Sequence, residues 1–427
     1  MEIKSFRFNL QEFGGALGDL GTLLPVMVAM VLINGLNATS VLVGVGVFYI
    51  VSGIYFRLPM PVQPLKAVAA IAISLGLSAS VIGAAGLLMG AILLLLSLTN
   101  LISVAVKLFP QAVVRGIQFT VGLILFGKGI ELIFNEGSLI NGTMGIFGMD
   151  QLPIGLFLAV LALLVFILFK FVFFKQSQRF PPSVALLAFG LGAGVVFGPI
   201  SGLSKLNPAL PSVVLPSSAD FWQALTVLVI AQLPLTLGNA VVGTWDTART
   251  YFKDEASRVS PRALTTLMGM ANIIAGLFGA MPMCHGSGGL TAHYKMGART
   301  GGANLMIGGL ILAVGLFFGS GAVSFLSIVP LSVLGVLLAI VGIYHTFLIR
   351  DLKAKRQLAV VGTVAISTIT LGNLAFGFGA GILLHHILRL DIPRAWSRLL
   401  ERVKSYRKTK ESLESIDFRQ NLVDSDE

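Results

Sequence analysis

The chain has 427 residues, 55% of them apolar and only 11% charged, with a mean hydropathy of +0.89 and a formal charge of +11. A soluble domain carries about 25% charged residues, so this composition excludes an ordinary globular protein. It also excludes nucleic acid as the reason for the positive charge, because the lysines and arginines edge long apolar runs, as membrane topology requires.

A spanning helix needs about 20 apolar residues. The apolar runs predict an all-α polytopic membrane protein with about fourteen segments: 13–33, 38–56, 60–75, 79–98, 110–134, 152–174, 182–199, 221–244, 260–280, 282–296, 302–319, 325–348, 357–372 and 374–389. Placing the N-terminus in the cytoplasm puts nearly all loop cations there, from Arg57 and Lys107 to Arg356, and leaves only Lys205 outside. The expectation is a multi-pass protein of the cell's inner or plasma membrane with both termini cytoplasmic. Residues 1–11 carry Glu2, Lys4 and Arg7 with no apolar core, so no secretory signal is expected.

Two segments are unlike the rest. Residues 59–66 read Pro-Met-Pro-Val-Gln-Pro-Leu-Lys, and residues 281–289 read Met-Pro-Met-Cys-His-Gly-Ser-Gly-Gly. Proline and glycine resist helix there, and the sequence after each suffices for about half a bilayer. Each is expected to be an extended stretch followed by a half-helix that starts near the midplane. The two also correspond. Met60-Pro61 recurs as Met281-Pro282, Pro110, Val113, Val121 and Gly122 as Pro330, Val333, Val341 and Gly342, and Gly46 and Gly53 as Gly269 and Gly276, all at similar offsets. This predicts a duplicated seven-segment unit, inverted because seven is odd, and such repeats point to a secondary transporter's binding site.

The implied division is a cytoplasmic N-terminus (1–12), a first repeat (13–199), an extracytoplasmic linker (200–220), an inverted second repeat (221–389) and a cytoplasmic tail with a short amphipathic helix (390–427). In the tail, Ile392, Trp396, Leu399, Leu400, Val403 and Tyr406 share one helical face.

Helix N-termini carry unpaired N–H groups and partial positive charge, so two of them converging on a cavity suit a small oxyanion. The candidate ligand-binding residues are Gln63, Pro64, Lys66, His285, Gly286, Ser287, Gly288 and Gly289, with Asn239 on the eighth segment. Lys66, read as one turn into the first half-helix, either meets the ligand or pairs with a carboxylate. Asp19 either takes a coupling proton or holds Lys66. Gln232 and Asn239 either face the cavity or bridge helices, and Asp246 suits a surface role. His285 either assists an anion or bonds neutrally to a carbonyl. Single Cys284 excludes an intramolecular disulfide, and neither it nor the scattered histidines suggest a metal site. No phosphate-cradling Gly-x-x-x-x-Gly-Lys-Ser/Thr motif occurs, and no cofactor is expected.

Three stretches resemble signatures of the molybdate-transporter family, which is related to the sulfate permeases: Gly15 to Pro25, Pro59 to Lys66, and Pro282 to Leu290. The resemblance covers roughly residues 10–350. It implies the seven-plus-seven inverted-repeat fold of sulfate and uracil permeases, divided into core and gate domains. It further implies import of a tetrahedral dianion, molybdate or sulfate, by a non-enzymatic carrier, with proton coupling and elevator-type alternating access as expectations. The partners expected are the oxyanion and the bilayer, with a homodimer left open. The alternatives are a nucleobase (uracil or xanthine) permease or an anion channel of the same fold. By resemblance, nucleobase permeases use glutamates near the second half-helix, and 263–294 contains no Asp or Glu.

Overall fold

The computed structural model describes residues 6–99, 101–102, 104, 110–134, 143–146, 149–173, 182–197, 210–319, 321 and 329–389. The amphipathic tail face expected beyond 389, and the first part of the linker expected at 200–220, lie outside the described residues. What is described is mostly helix. Six stretches are long and apolar enough to cross a membrane: Ala38–Phe56, Ala79–Leu98, Gln111–Phe134, Ile154–Phe171, Ser218–Arg258 and Leu331–Asp351.

The first described elements are α1 (Leu10–Ala16), a tight turn over Leu17–Asp19, and α2 (Leu20–Asn34). The single first segment expected from the sequence is therefore one helical path that tightens for a turn at Leu17–Asp19. Next come α3 (Ala38–Phe56), the extended pair β1 (Gln63–Pro64), α4 (Lys66–Leu75), α5 (Ala79–Leu98) and α6 (Gln111–Phe134). A small hairpin, β2 (Thr143–Ile146) with β3 (Met149–Pro153), precedes α7 (Ile154–Leu168) and α8 (Pro182–Phe197).

The second half opens with a long helix, α9 (218–252), whose turns widen to π geometry over Ala224–Val229 and Thr236–Gly243. It is followed by α10 (Pro261–Leu277), β4 (Met283–Cys284), α11 (Ser287–Lys295), α12 (Gly302–Phe318), α13 (Leu331–Thr346), α14 (Lys355–Leu371) and α15 (Leu374–Arg389).

Local chemistry sets these boundaries. Asn37, Ser78 and Ser260 accept backbone N–H groups at the starts of α3, α5 and α10, satisfying donors that the helix itself cannot. Gly35, Gly76 and Gly372 end α2, α4 and α14 in the left-handed region, where a side chain is disfavoured. The helices are apolar around much of their circumference. Val47, Ile54, Leu95, Leu164, Ile366 and Phe376 are accordingly exposed, as lipid-facing side chains must be in a protein whose outer solvent is hydrocarbon.

Helix pairs meet through small residues, the packing mode that works without a hydrophobic drive between helices. Along α3 and α12, Gly46 faces Gly308 and Gly53 faces Gly301; along α5 and α10, Gly83 faces Gly276 and Gly90 faces Gly269; and α6 crosses α13 at Gly122 and Gly342. One large apolar cluster joins residues of α1 to α6 with residues of α9 to α15, while smaller ones hold α7 and α8 on α13 and α6 on α14.

Candidate functional site

The two interrupted segments meet where the sequence loses helix. β1 pairs antiparallel with β4, Gln63 opposite Cys284 and Pro64 opposite Met283, and Leu65 N–H donates to the Pro282 carbonyl at 2.9 Å. Side chains pin this irregular backbone, as buried amides demand. Asn272 Nδ2 donates to the Met283 carbonyl (2.7 Å) while its Oδ1 accepts Met283 N–H (2.8 Å). Asn304 Nδ2 donates to the Met60 carbonyl at 2.7 Å, and Asn34 closes the far end of α4 by donating to the carbonyls of Ala72 (2.7 Å) and Leu77 (2.9 Å). Sequence reasoning passed over these three asparagines. Their signal was an uncharged polar side chain within an apolar helix.

The starts of the two half-helices differ. In α4 the first residue is Lys66 itself, not a residue one turn in, and the next two N–H groups are taken. Gln232 Oε1 accepts Ala67 N–H at 2.8 Å and Val68 N–H at 3.2 Å, while Gln232 Nε2 donates to Thr236 Oγ1 at 2.9 Å. Gln232 thus bridges helices. In α11 the N-terminus follows Gly286 and has no side-chain cap, so Ser287, Gly288 and Gly289 present N–H groups without intrahelical partners. Gly288 is exposed, and a Cβ placed there would meet nothing within 4 Å. The end of α11 is open to space.

Gln63 Nε2 donates to Asp19 Oδ1, leaving Gln63 Oε1 and Asp19 Oδ2 buried and unpartnered. Both side chains lie against α11. A Cβ on Gly289 would stand 2.6 Å from Gln63 Nε2 and 2.7 Å from Asp19 Oδ1, and one on Gly286 would stand 3.3 Å from Lys66 Nζ and closer still to Gln63 Oε1. Only glycine admits these approaches. Asn239, two turns along α9 from Gln232, accepts the Ser287 hydroxyl at 3.0 Å.

The structure therefore brings Asp19, Gln63, Lys66, Asn239, Gly286, Ser287, Gly288 and Gly289 to one place. Among the described residues the salt bridges are Arg115–Asp351 and Lys128–Glu131, and Lys66 is in neither. Pro64 sits in the strand pair, its carbonyl 3.6 Å from Cys284 Sγ. His285 is fully buried, stacked on Phe48 (4.9 Å between centroids) and edge-on to Phe56, and its Nδ1 donates to the Pro61 carbonyl at 2.8 Å. His293 Nδ1 binds the Pro59 carbonyl in the same way. Both rings hold the extended stretch 59–64. Asp246 is exposed on α9, as a surface role requires.

The family profile described as "Molybdate transporter of MFS superfamily" matches residues 11–125 and 224–344, the two stretches that carry this site. "Molybdate transporter 2" of Arabidopsis thaliana is 34% identical over 411 residues, covering 89% of this chain and 87% of that one. The chain belongs to the molybdate transporter family. "Molybdate transporter 1" of Arabidopsis thaliana is 31% identical over 414 residues, covering 90% of this chain and 89% of that one. Among solved structures, the transporter's fold is similar to the transmembrane domain of the cyanobacterial bicarbonate transporter BicA (TM-score 0.62, 18% identity, 88% of this chain and 99% of that one). It is also similar to the murine Slc26a9 anion transporter in its inward-facing state (TM-score 0.65, 18% identity, 91% of this chain and 69% of that one).

Proposed function

We propose that this membrane protein is a secondary transporter that imports a tetrahedral oxyanion, molybdate or sulfate, and is not an enzyme. The observation that carries the reading is the uncapped N-terminus of α11, with Lys66 Nζ and the unpartnered Gln63 Oε1 bordering Gly286 at its start. A dianion entering the interior of a membrane protein loses hydration that must be replaced by several donors. The N–H groups of residues 287–289 and the Lys66 ammonium supply them, joined after reorientation by the Gln63 amide and by the Ser287 hydroxyl, whose one proton otherwise goes to Asn239 Oδ1, and the lysine offsets part of the buried charge. His285 and Pro64 shape this site through the backbone, and Asn239 orients Ser287.

The same reading includes fourteen segments arranged as two inverted units, 13–199 and 221–389, with both termini cytoplasmic. Its support is that residues equivalent under the repeat offset meet: Gln63 pairs with Cys284, and Gly122 faces Gly342. In this reading Asp19 couples a proton to the state of Gln63, and the support is its hydrogen bond to that glutamine with its second oxygen unpartnered. Transport then proceeds as an elevator, α1 to α5 with α9 to α12 carrying the anion past α6 to α8 and α13 to α15. The support for this grouping is close small-residue packing within each set, α3 on α12 and α5 on α10 in the first, α6 on α13 in the second.

The deciding experiment is binding of molybdate, tungstate, sulfate and uracil, measured in parallel on the purified protein, followed by accumulation of labelled anion in proteoliposomes under a proton gradient. Saturable binding of the oxyanions with uphill uptake is expected. Binding of uracil alone overturns the substrate class, and uptake that only dissipates a gradient overturns the carrier.

A further inference from the structure

The two half-helices look equivalent in sequence, yet only one has an open end. Gln232 lies at the middle of α9 between its two π-helical stretches, buried to 1% exposure, on a stretch that also contains Pro234. Both ends of its carboxamide are engaged. The oxygen accepts the second and third N–H groups of α4, Ala67 at 2.8 Å and Val68 at 3.2 Å, and the nitrogen donates to Thr236 Oγ1 at 2.9 Å. Those two N–H groups are the donors a helix end would offer an anion. Seven residues on, Asn239 accepts the Ser287 hydroxyl but none of the N–H groups of α11. One helix thus sends one carboxamide to each half-helix, and only the first closes its target.

We infer that Gln232 is a positioning residue that makes the anion site one-sided: its carboxamide oxygen occupies the start of α4 where an anion would sit, so the ligand is held at the start of α11 alone. This rests on the oxyanion reading above and deepens it. With both ends open, two helix termini would compete for one dianion or admit a second, smaller anion. With α4 neutrally capped, its contribution passes to two side chains, Gln63 and Lys66, which border Gly286. The cap also fixes the first turn of α4, and with it the direction in which Lys66 leaves the helix. Gln232 acts through α4, and its proposed role needs no contact with the ligand.

The test uses the full-length protein in detergent or nanodiscs, with Gln232→Met, which keeps the side chain's bulk without an acceptor, and Gln232→Glu, which keeps the acceptor and adds charge. The readouts are molybdate affinity and the shift of Tm produced by sodium chloride against sodium gluconate. Gln232→Met is expected to bind molybdate about tenfold more weakly. It is also expected to gain a chloride-dependent rise in Tm that the parent lacks, because its freed N–H groups now accept a small anion. Gln232→Glu is expected to lose molybdate affinity through repulsion without gaining the chloride response. A merely structural glutamine would lower Tm without creating a chloride response. Parent-like molybdate affinity in both variants, or a chloride response equal in the parent and Gln232→Met, overturns the inference. If Gln232→Met does not fold, Gln232→Glu decides alone: parent-like molybdate affinity overturns the inference, and weakened affinity without a chloride response supports it. A parent that binds no oxyanion overturns the functional reading instead, and the chloride comparison still judges the cap.

Discussion

Gly122 and Gly342 face each other where α6 crosses α13, so closely that a Cβ on Gly122 would stand 2.7 Å from the Gly342 carbonyl oxygen and one on Gly342 would stand 2.6 Å from that of Gly122. Neither neighbour is a flexible side-chain end, so any side chain must push the helices apart. Gly122→Val and Gly342→Val are each expected to cost at least about 1–3 kcal/mol, the usual range for overpacking. Thermal unfolding in detergent checks this, with Gly127→Ala and Gly362→Ala as comparisons, since a Cβ at either position meets nothing within 4 Å. Equal melting of all four would remove the crossing as a fixed point of the fold.

The proposed binding cluster gives graded expectations. Ser287→Ala and Gln63→Ala should each weaken molybdate or sulfate binding by about one charge-assisted hydrogen bond, ~1.5–3 kcal/mol. Gly286→Val should do worse, because its side chain would displace Gln63 and approach Lys66 Nζ. Lys66→Ala should lower affinity strongly with little loss of folded protein, since Lys66 joins no salt bridge among the described residues. Isothermal titration with each folded variant is the measurement. Four parent-like affinities would place the site elsewhere.

The contrast between Gln63 and Gln232 shows what was legible in the sequence. Gln63 sits in a proline-rich break inside an apolar run, a local signal that marked both half-helices, their correspondence and most of the cluster. Gln232 caps residues 165 positions away, and no local pattern says whether a glutamine in an apolar helix turns to a cavity or to another backbone. Long-range satisfaction of a buried carbonyl also hid the role of Asn304, which reaches Met60. The tight turn over Leu17–Asp19 was hidden for another reason: Gly-Ala-Leu-Gly-Asp-Leu-Gly has no proline to mark it. The start of α4 was misplaced by a turn because Pro64 and Leu65 continue the extended strand.

His285 separates a positioning role from ligand contact. Its ring is held between Phe48 and Phe56, and Nδ1 donates to the Pro61 carbonyl. His285→Phe keeps the stacking surface and leaves that carbonyl unpaired, a loss of about 1–3 kcal/mol. The expected result is a lowered Tm with smaller loss of oxyanion affinity in the folded fraction than Ser287→Ala produces. Unchanged Tm with abolished binding would make His285 a ligand instead.

Topology is open to labelling, because the native Cys284 is buried. Leu215, 84% exposed, precedes α9, and the exposed Ser257 lies at its far end, in the turn Lys253–Arg258. With cytoplasmic termini, Leu215→Cys should react with a membrane-impermeant maleimide in intact cells, and Ser257→Cys only after permeabilisation. The reverse order would invert the protein.

Alternating access by an elevator makes a geometric demand that one disulfide can test. Gly238, in the π-helical stretch of α9, faces Val114 of α6, and a Cβ on Gly238 would stand 3.6 Å from the Val114 Cβ. That spacing falls within the roughly 3.5–4.5 Å a disulfide spans. It joins the half-helix group to the opposite group. The same 3.6 Å separates a Cβ on Gly190 of α8 from the Val333 Cβ of α13, but that pair lies within one group. In a Cys284→Ala background, oxidised Gly238→Cys/Val114→Cys protein should stop transporting and recover on reduction, because sliding α9 past α6 must separate the two sulfurs. Oxidised Gly190→Cys/Val333→Cys protein should keep its rate. Both comparisons need the cross-link verified by mass shift, and uptake read in the same proteoliposomes before and after reductant. Full-rate transport with the Gly238–Val114 bridge closed would exclude movement at this interface, and a fixed scaffold with local gates would then have to provide the access.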